Sequence, residues 1–136
     1  MQDSPVVLVV EDDPQMQALI EVALNDGGFA CMIAASGEEA KNLFQDEVSK
    51  YRALLTDINL SRTMDGWEVA RHAIRLNPDI PVIYMTGDSA DQWASSGVPH
   101  SIILSKPFAP SQVVIAVAQL LNISTSPSPA VQTGEA

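Results

Sequence analysis

A doubly wound α/β sandwich, with five parallel strands in one sheet and helices on both faces, is the fold class this sequence predicts, and three observations predict it. Short runs rich in Val, Ile and Leu alternate with longer stretches of helical periodicity. The runs are apolar throughout rather than alternating, as strands buried on both faces are. Most of them stop abruptly in polar groups: Val10 gives way to Glu11-Asp12-Asp13, Thr56 to Asp57, Met85 to Thr86-Gly87-Asp88, and Leu104 to Ser105-Lys106. Parallel strands need crossovers, and right-handed crossovers built from helices cover the sheet. A three-layer sandwich is the economical result.

Each element has its own signature. Residues 5–10 carry the β-branched run Val6 to Val10, too short for a helix. Pro14 suits a first helical turn with Asp13 as N-cap, and Met16, Leu19, Ile20, Ala23 and Leu24 recur on one face until Gly27-Gly28. Residues 29–35 read as the second strand. Ser36 caps the next helix with Glu39 at capping-box spacing, and Ala40, Leu43, Phe44 and Val48 form its buried stripe. The third strand runs through Leu54-Leu55-Thr56 to Asp57. A loop over 61–66 leads to a helix over 67–76, which Asn77-Pro78 ends. Residues 80–85 form the fourth strand, with Pro81 tolerable only near its start. Residues 89–96 predict a short, weak helix with Ala90, Trp93 and Ala94 turned inward. Ile102-Ile103-Leu104 is the fifth strand, and a last helix spans 111–121. The remaining 122–136, rich in Ser, Thr and Pro, lack the apolar residues to offset ordering entropy, which predicts one domain over 4–121 and a disordered tail.

The totals narrow the function. A chain of 136 residues, 46% apolar, buries one core and leaves no room for a second full domain. It holds no apolar run of about eighteen residues to span a membrane, and Met1-Gln2-Asp3 lacks the positive start of a signal peptide, so a cytoplasmic protein with no membrane role is expected. Seven Lys and Arg against seventeen Asp and Glu give a net charge of −10, which repels nucleic-acid backbones and attracts divalent cations. The lone Cys31 sits among apolar neighbours and reads as a small core residue. His72 reads as a surface residue, and neither it nor His100 has a second ligand at zinc spacing.

In a doubly wound sheet, ligands gather beyond the strands' carboxyl ends. There the first, third, fourth and fifth strands deliver Glu11, Asp12, Asp57, Thr86 and Lys106 to one crevice. Carboxylates held this close repel one another unless a cation intervenes, and Mg²⁺ takes such oxygen ligands together with a phosphoryl oxygen. Lys106 is a point charge for a phosphate oxygen and Thr86 offers a hydroxyl to another. Asp57 then qualifies as a nucleophile toward phosphorus. A structural cation site, or strand-end polar groups with no shared role, are the other readings of the same residues.

The acidic turn Val9-Val10-Glu11-Asp12-Asp13, then Leu55-Thr56-Asp57-Ile58-Asn59-Leu60 with Met64-Asp65-Gly66, then Val82-Ile83-Tyr84-Met85-Thr86-Gly87 and Ser105-Lys106-Pro107-Phe108, together resemble the receiver domain of bacterial two-component response regulators. The resemblance covers residues 4–121 and implies a flavodoxin-like fold. It implies that Asp57 is the phosphoacceptor, with Thr86 and Lys106 serving the phosphoryl group. For Mg²⁺ it implies Asp12 and Asp57 as ligands, Glu11 acting through water, and Asn59 giving its backbone carbonyl. The implied partner is a sensor histidine kinase or a histidine phosphotransfer protein, and the downstream protein target is unknown.

Two departures stand out. The strand-five position that often carries a switching aromatic is Ile103, and Tyr84, two residues before Thr86, is the candidate replacement. The loop after Asp57 is one residue longer than the common pattern, with Arg62 and Thr63 where a proline and a small residue often lie. Asn59 and Asp88 border the site and bear on how water reaches a phosphoryl group. The expectation is a stand-alone receiver that signals by partner binding or phosphorelay and is not a turnover enzyme on an external substrate. Its rivals are a degenerate receiver that binds proteins without phosphorylation and a phosphohydrolase. The phosphohydrolase would want a second acid where Asn59 stands.

Overall fold

The computed structural model describes residues 4–60, 64–88 and 90–125. Its five strands, β1 (Val6–Val10), β2 (Ala30–Ala34), β3 (Tyr51–Asp57), β4 (Val82–Thr86) and β5 (Ile102–Ser105), form one all-parallel sheet in the order β2-β1-β3-β4-β5. The helices are α1 (Pro14–Asp26), α2 (Gly37–Asp46), α3 (Gly66–Leu76), α4 (Trp93–Ser96) and α5 (Pro110–Thr125). The predicted doubly wound sandwich is the observed fold.

Strand alternation sorts the core into two layers. Val7, Val9, Ala53, Leu55, Ile83 and Met85 face α1 and α5, against Ile20, Leu24, Val113 and Val117. Their neighbours Leu8, Val10, Leu54 and Tyr84 face the other way, against Ala40 and Phe44 of α2 and Trp67, Val69 and Ala70 of α3. Period-two alternation within an uninterrupted apolar run is what burial on both faces demands.

The caps follow their residue types. The Asp13 carboxylate accepts from Gln15 N at 3.1 Å, and Ser36 Oγ accepts from Glu39 N at 3.1 Å. The Glu39 side chain, however, accepts from Ala35 N at 2.8 Å, one residue before the cap, so the predicted reciprocal box at Ser36 is displaced by one position. A complete capping box occurs at Asp65 and Glu68, which the sequence reading passed over.

Element ends moved where local chemistry was subtle. β3 starts at Tyr51, three residues before its apolar run, because Tyr51 and Ala53 are buried while Arg52 points to solvent. β4 starts at Val82, since Ile80 N donates to Asn77 O and closes a turn. The segment before β5 forms a 3-10 turn (Ala90–Gln92) and a single helical turn, α4. Ala90 and Ala94, expected inward, are exposed, and Trp93 alone of the three packs toward the core: one turn of helix presents only one side chain to a sheet. α5 continues to Thr125, four residues past the predicted boundary at 121. Arg62 and Thr63, and the tail beyond 125, lie outside the described residues.

Cys31 is half-buried on the edge strand β2 rather than deep in the core, and burial pushes its thiol pKa up. His72 departs from its surface reading: its Nε2 is buried and has no hydrogen-bond partner among the described residues. Burial, then the nearby cations Lys41 and Arg75, lower its pKa.

Candidate functional site

Register places the site. Val10 lies level with Thr56, Asp57 with Met85, and Thr86 with Ser105. One step beyond the first pair, Glu11 therefore stands beside Asp57, while Thr86 and Lys106 follow on the strands to its other side. The sheet order reverses between β1 and β3, which opens the crevice between them.

The crevice collects the predicted acids. Ligand oxygens of Glu11, Asp12 and Asp57 all lie within 4.8 Å of one another. Glu11 is only 1% exposed and Asp57 5%, so two of the three carboxylates are withdrawn from water. Lys106 Nζ bridges them, 3.3 Å from Asp57 Oδ2 and 3.4 Å from Glu11 Oε1. The backbone holds the rest. Asp13 N donates to Glu11 Oε2 at 3.1 Å, Gln17 Nε2 donates to Glu11 O at 2.6 Å, and Lys106 N donates to Thr86 O at 2.7 Å.

The electrostatics reflect crowding. Burial, reinforced by the Asp57 charge, raises the Glu11 pKa, while the Asp13 N–H and Lys106 restrain the rise. Burial likewise raises Asp57, against the pull of Lys106 and the backbone N–H of Asn59, and Asp12 adds to the rise. Burial would lower Lys106, but the carboxylates of Asp57 and Glu11 outweigh it and its pKa rises, so it remains an ammonium. Three clustered carboxylates answered by one ammonium leave a net negative pocket of oxygen donors. That donor set fits a hard divalent cation such as Mg²⁺.

Around this centre, Thr86 is buried at the strand end and its Oγ1 accepts from Asp88 N at 3.2 Å. Asn59 Nδ2 donates to Asp88 Oδ1 at 2.8 Å, so the two bordering side chains tie the β3 and β4 loops together across the mouth. This tie gives Asp88 a place at the mouth of the site. Tyr84 is fully buried, is level with Ile103, packs its ring 4.7 Å from that of Trp67, and accepts from Val98 N through its hydroxyl at 3.1 Å.

Two contributors escaped the sequence reading as individual residues. A Cβ on Gly66 would overlap the Asp57 carbonyl oxygen and crowd Ile58 Cα, so only glycine lets α3 start this close to the carboxyl end of β3. Ser101 accepts from Trp93 Nε1 at 2.9 Å and donates to Val98 O at 2.6 Å, joining α4 to the start of β5. The Gly66 signal was present as a glycine after the acidic loop, whereas Ser101 had none.

A parallel α/β domain with an acidic, lysine-bridged pocket at its switch point is the class that the fold and site define. The chain belongs to the response regulator receiver domain family, whose model matches residues 7–118. It is 32% identical over 117 residues to the response regulator receiver protein CpdR of Brucella abortus strain 2308, covering 85% of this chain and 95% of that one. Among solved structures, a response regulator receiver protein from Sinorhizobium medicae WSM419 superposes with a TM-score of 0.86 at 37% identity, covering 90% of this chain and 98% of that one. The receiver domain of the sensor histidine kinase PA1611 from Pseudomonas aeruginosa PAO1, described with a magnesium ion in its active-site cleft, gives 0.74 at 25% identity, covering 88% and 99%. Against the transcriptional regulators of Guillardia theta and Cyanophora paradoxa that it also matches, the chain spans about half the length, 45% and 50%. Among the described residues no helix is long and apolar enough to cross a membrane.

Proposed function

We propose that this receiver accepts a phosphoryl group on Asp57 from a histidine kinase or a histidine phosphotransfer protein, in an Mg²⁺-dependent step. The observation that carries this reading is the Lys106 ammonium seated 3.3 Å from Asp57 Oδ2 within a triad of carboxylates, two of them buried. An Asp57 oxygen attacks phosphorus as the donor's P–N bond breaks, the electron pair returning to the imidazole nitrogen. Lys106 turns to a phosphoryl oxygen, and the Thr86 hydroxyl donates to another. Glu11, Asp12, Asp57 and the Asn59 carbonyl would hold the cation, which when bound neutralises the charge of the transferring group. Turnover of an external substrate is not part of this reading.

With Ile103 at the usual aromatic position, Tyr84 is the switch candidate, since its hydroxyl holds the Val98 N–H while Thr86 lies two residues away on the same strand. Output passes through a protein partner or onward phosphoryl transfer, in the cytoplasm and without nucleic acid. The competing degenerate receiver would lack a competent residue at the site, whereas all five positions here hold one.

Intact mass after incubation with acetyl phosphate tests the reading. The expected result is one added phosphoryl mass in the presence of Mg²⁺, absent with chelator and absent in Asp57→Asn. No adduct under any condition, with Mg²⁺ binding also absent, would overturn it in favour of phosphorylation-independent binding.

A further inference from the structure

Glu11 is held at each of its polar atoms. Its N–H donates to Ala34 O of β2 at 3.0 Å, its Oε2 accepts from Asp13 N at 3.1 Å, and its Oε1 lies 3.4 Å from Lys106 Nζ. The remaining group is the carbonyl, which accepts from Gln17 Nε2 at 2.6 Å, its one donor among the described residues. A carbonyl oxygen only accepts, so the nitrogen of the Gln17 amide is the atom that faces it. The helix sets the reach. Gln17 N closes the first turn of α1 onto Asp13 O at 2.9 Å, and helical side chains lean toward the N-terminus, which carries this one past the cap to the carbonyl two residues before it.

The contact fixes more than Glu11. The carbonyl of residue 11 and the nitrogen of residue 12 belong to one rigid peptide plane, so holding that oxygen sets the direction in which Asp12 leaves the chain. Asp12 is the half-buried member of the acidic trio, and on its other side Asp13 is committed to capping α1 through Gln15 N at 3.1 Å. Ligand oxygens of Glu11, Asp12 and Asp57 lie within 4.8 Å of one another, and their mutual repulsion pushes on the loop that carries Asp12. The Gln17 amide opposes that push through the backbone.

We propose that Gln17 is a positioning residue that sets the affinity of this site for Mg²⁺ and its preference for Mg²⁺ over Ca²⁺, acting through the Glu11–Asp12 peptide. The inference rests on the cation site of the proposed function and adds the group that keeps that site small. Mg²⁺ demands near-ideal octahedral geometry at about 2.0–2.1 Å, whereas Ca²⁺ accepts looser shells at about 2.3–2.6 Å. A carboxylate held in place beforehand meets the first demand with no ordering cost at binding, and a loose one still serves the second.

Mg²⁺ and Ca²⁺ titrations of the full chain, followed by amide NMR shifts, test the proposal with Gln17→Leu and Gln17→Asn beside wild type. Leucine keeps the bulk and loses the donor; asparagine keeps the donor and is one methylene shorter. Both should bind Mg²⁺ about tenfold more weakly, the scale on which groups behind a metal's ligands act, with Ca²⁺ affinity changing several-fold less. In chelator the amides of Asp12 and Asp13 should exchange with solvent faster in both variants, while those of β3 and β4 keep wild-type protection. Variants that lose melting temperature but keep wild-type Mg²⁺ affinity would overturn the proposal and leave Gln17 a contact at the helix start. An equal loss for the two cations would overturn it too, since a general loosening rather than the size of the site would then be at work. A wild type that binds neither cation would overturn the cation site itself, and this inference with it.

Discussion

Without a bound cation, Asp57→Asn should make this protein more stable. The Asp57 carboxylate stands within 4.8 Å of ligand oxygens on both Glu11 and Asp12, and at an effective dielectric of 20 each like-charge pair costs about 3.5 kcal/mol. Its pairing with Lys106 at 3.3 Å returns about 5 kcal/mol on the same scale. Removing the charge while keeping the shape therefore relieves a net of about 2 kcal/mol, and the avoided burial of an ion adds in the same direction. For a chain of this size, 2 kcal/mol corresponds to a rise of about 6–10 °C in melting temperature.

The titration behaviour points the same way. Glu11 and Asp57 both have folded-state pKa values raised above their ordinary ones. Their contribution to stability is full below the unfolded pKa and is lost as pH rises through the folded value. Above the folded values that contribution is gone. Asparagine imitates the protonated state at all pH values, so the gain of Asp57→Asn should shrink as pH falls. The assay is thermal or urea unfolding in chelator, for both proteins, from mildly acidic to neutral pH. Adding Mg²⁺ should stabilise wild type more than the variant and narrow the gap, because a ligand that binds only the folded state stabilises it by mass action. An Asp57→Asn protein equal to or weaker than wild type in chelator at neutral pH would refute the picture of a self-repelling pocket.

Three further outcomes follow from separate contacts. Gly66→Ala forces a Cβ onto the Asp57 carbonyl oxygen, which is backbone and cannot swing aside; a loss of about 1–3 kcal/mol in urea unfolding is expected, with slower acetyl phosphate labelling of Asp57. Tyr84→Phe leaves the buried Val98 N–H without its acceptor, which should cost about 1–3 kcal/mol and speed exchange of that amide, measured by hydrogen exchange. His72 has a folded-state pKa lowered below 6.5, so the stability it permits is full above that pH and is lost as pH falls through the folded value; His72→Gln should flatten this segment of the stability profile in unfolding experiments.

The sheet and the site were legible in the sequence for one shared reason. A strand buried on both faces writes itself as an unbroken apolar run, and the residue that ends the run marks the carboxyl edge where Glu11, Asp57, Thr86 and Lys106 assemble. What escaped depends on contacts between distant segments. Arg52 interrupts the start of β3 in sequence but only points one side chain outward in space, so the strand reaches back to Tyr51. Ala90 and Ala94 fit an inward face by helical spacing, yet the helix that would have turned them inward is one turn long. His72 looked solvated beside Arg71 and Arg75, and its ring nitrogen is nonetheless buried. Ser101 carried no pattern, since its partners Trp93 and Val98 become neighbours only when the chain turns before β5.

The Tyr84 hydroxyl grips a main-chain N–H rather than a side chain. That tie needs no particular side chain, while Trp93, packed toward the core and donating to Ser101 Oγ, supplies the side-chain part of the α4 attachment. The outer residues Asp91, Gln92, Ala94 and Ser95, all exposed, are free to drift over evolutionary time without loosening the joint beneath them. On such a surface the exposed side chains can vary while the Tyr84–Val98 bond beneath them stays the same.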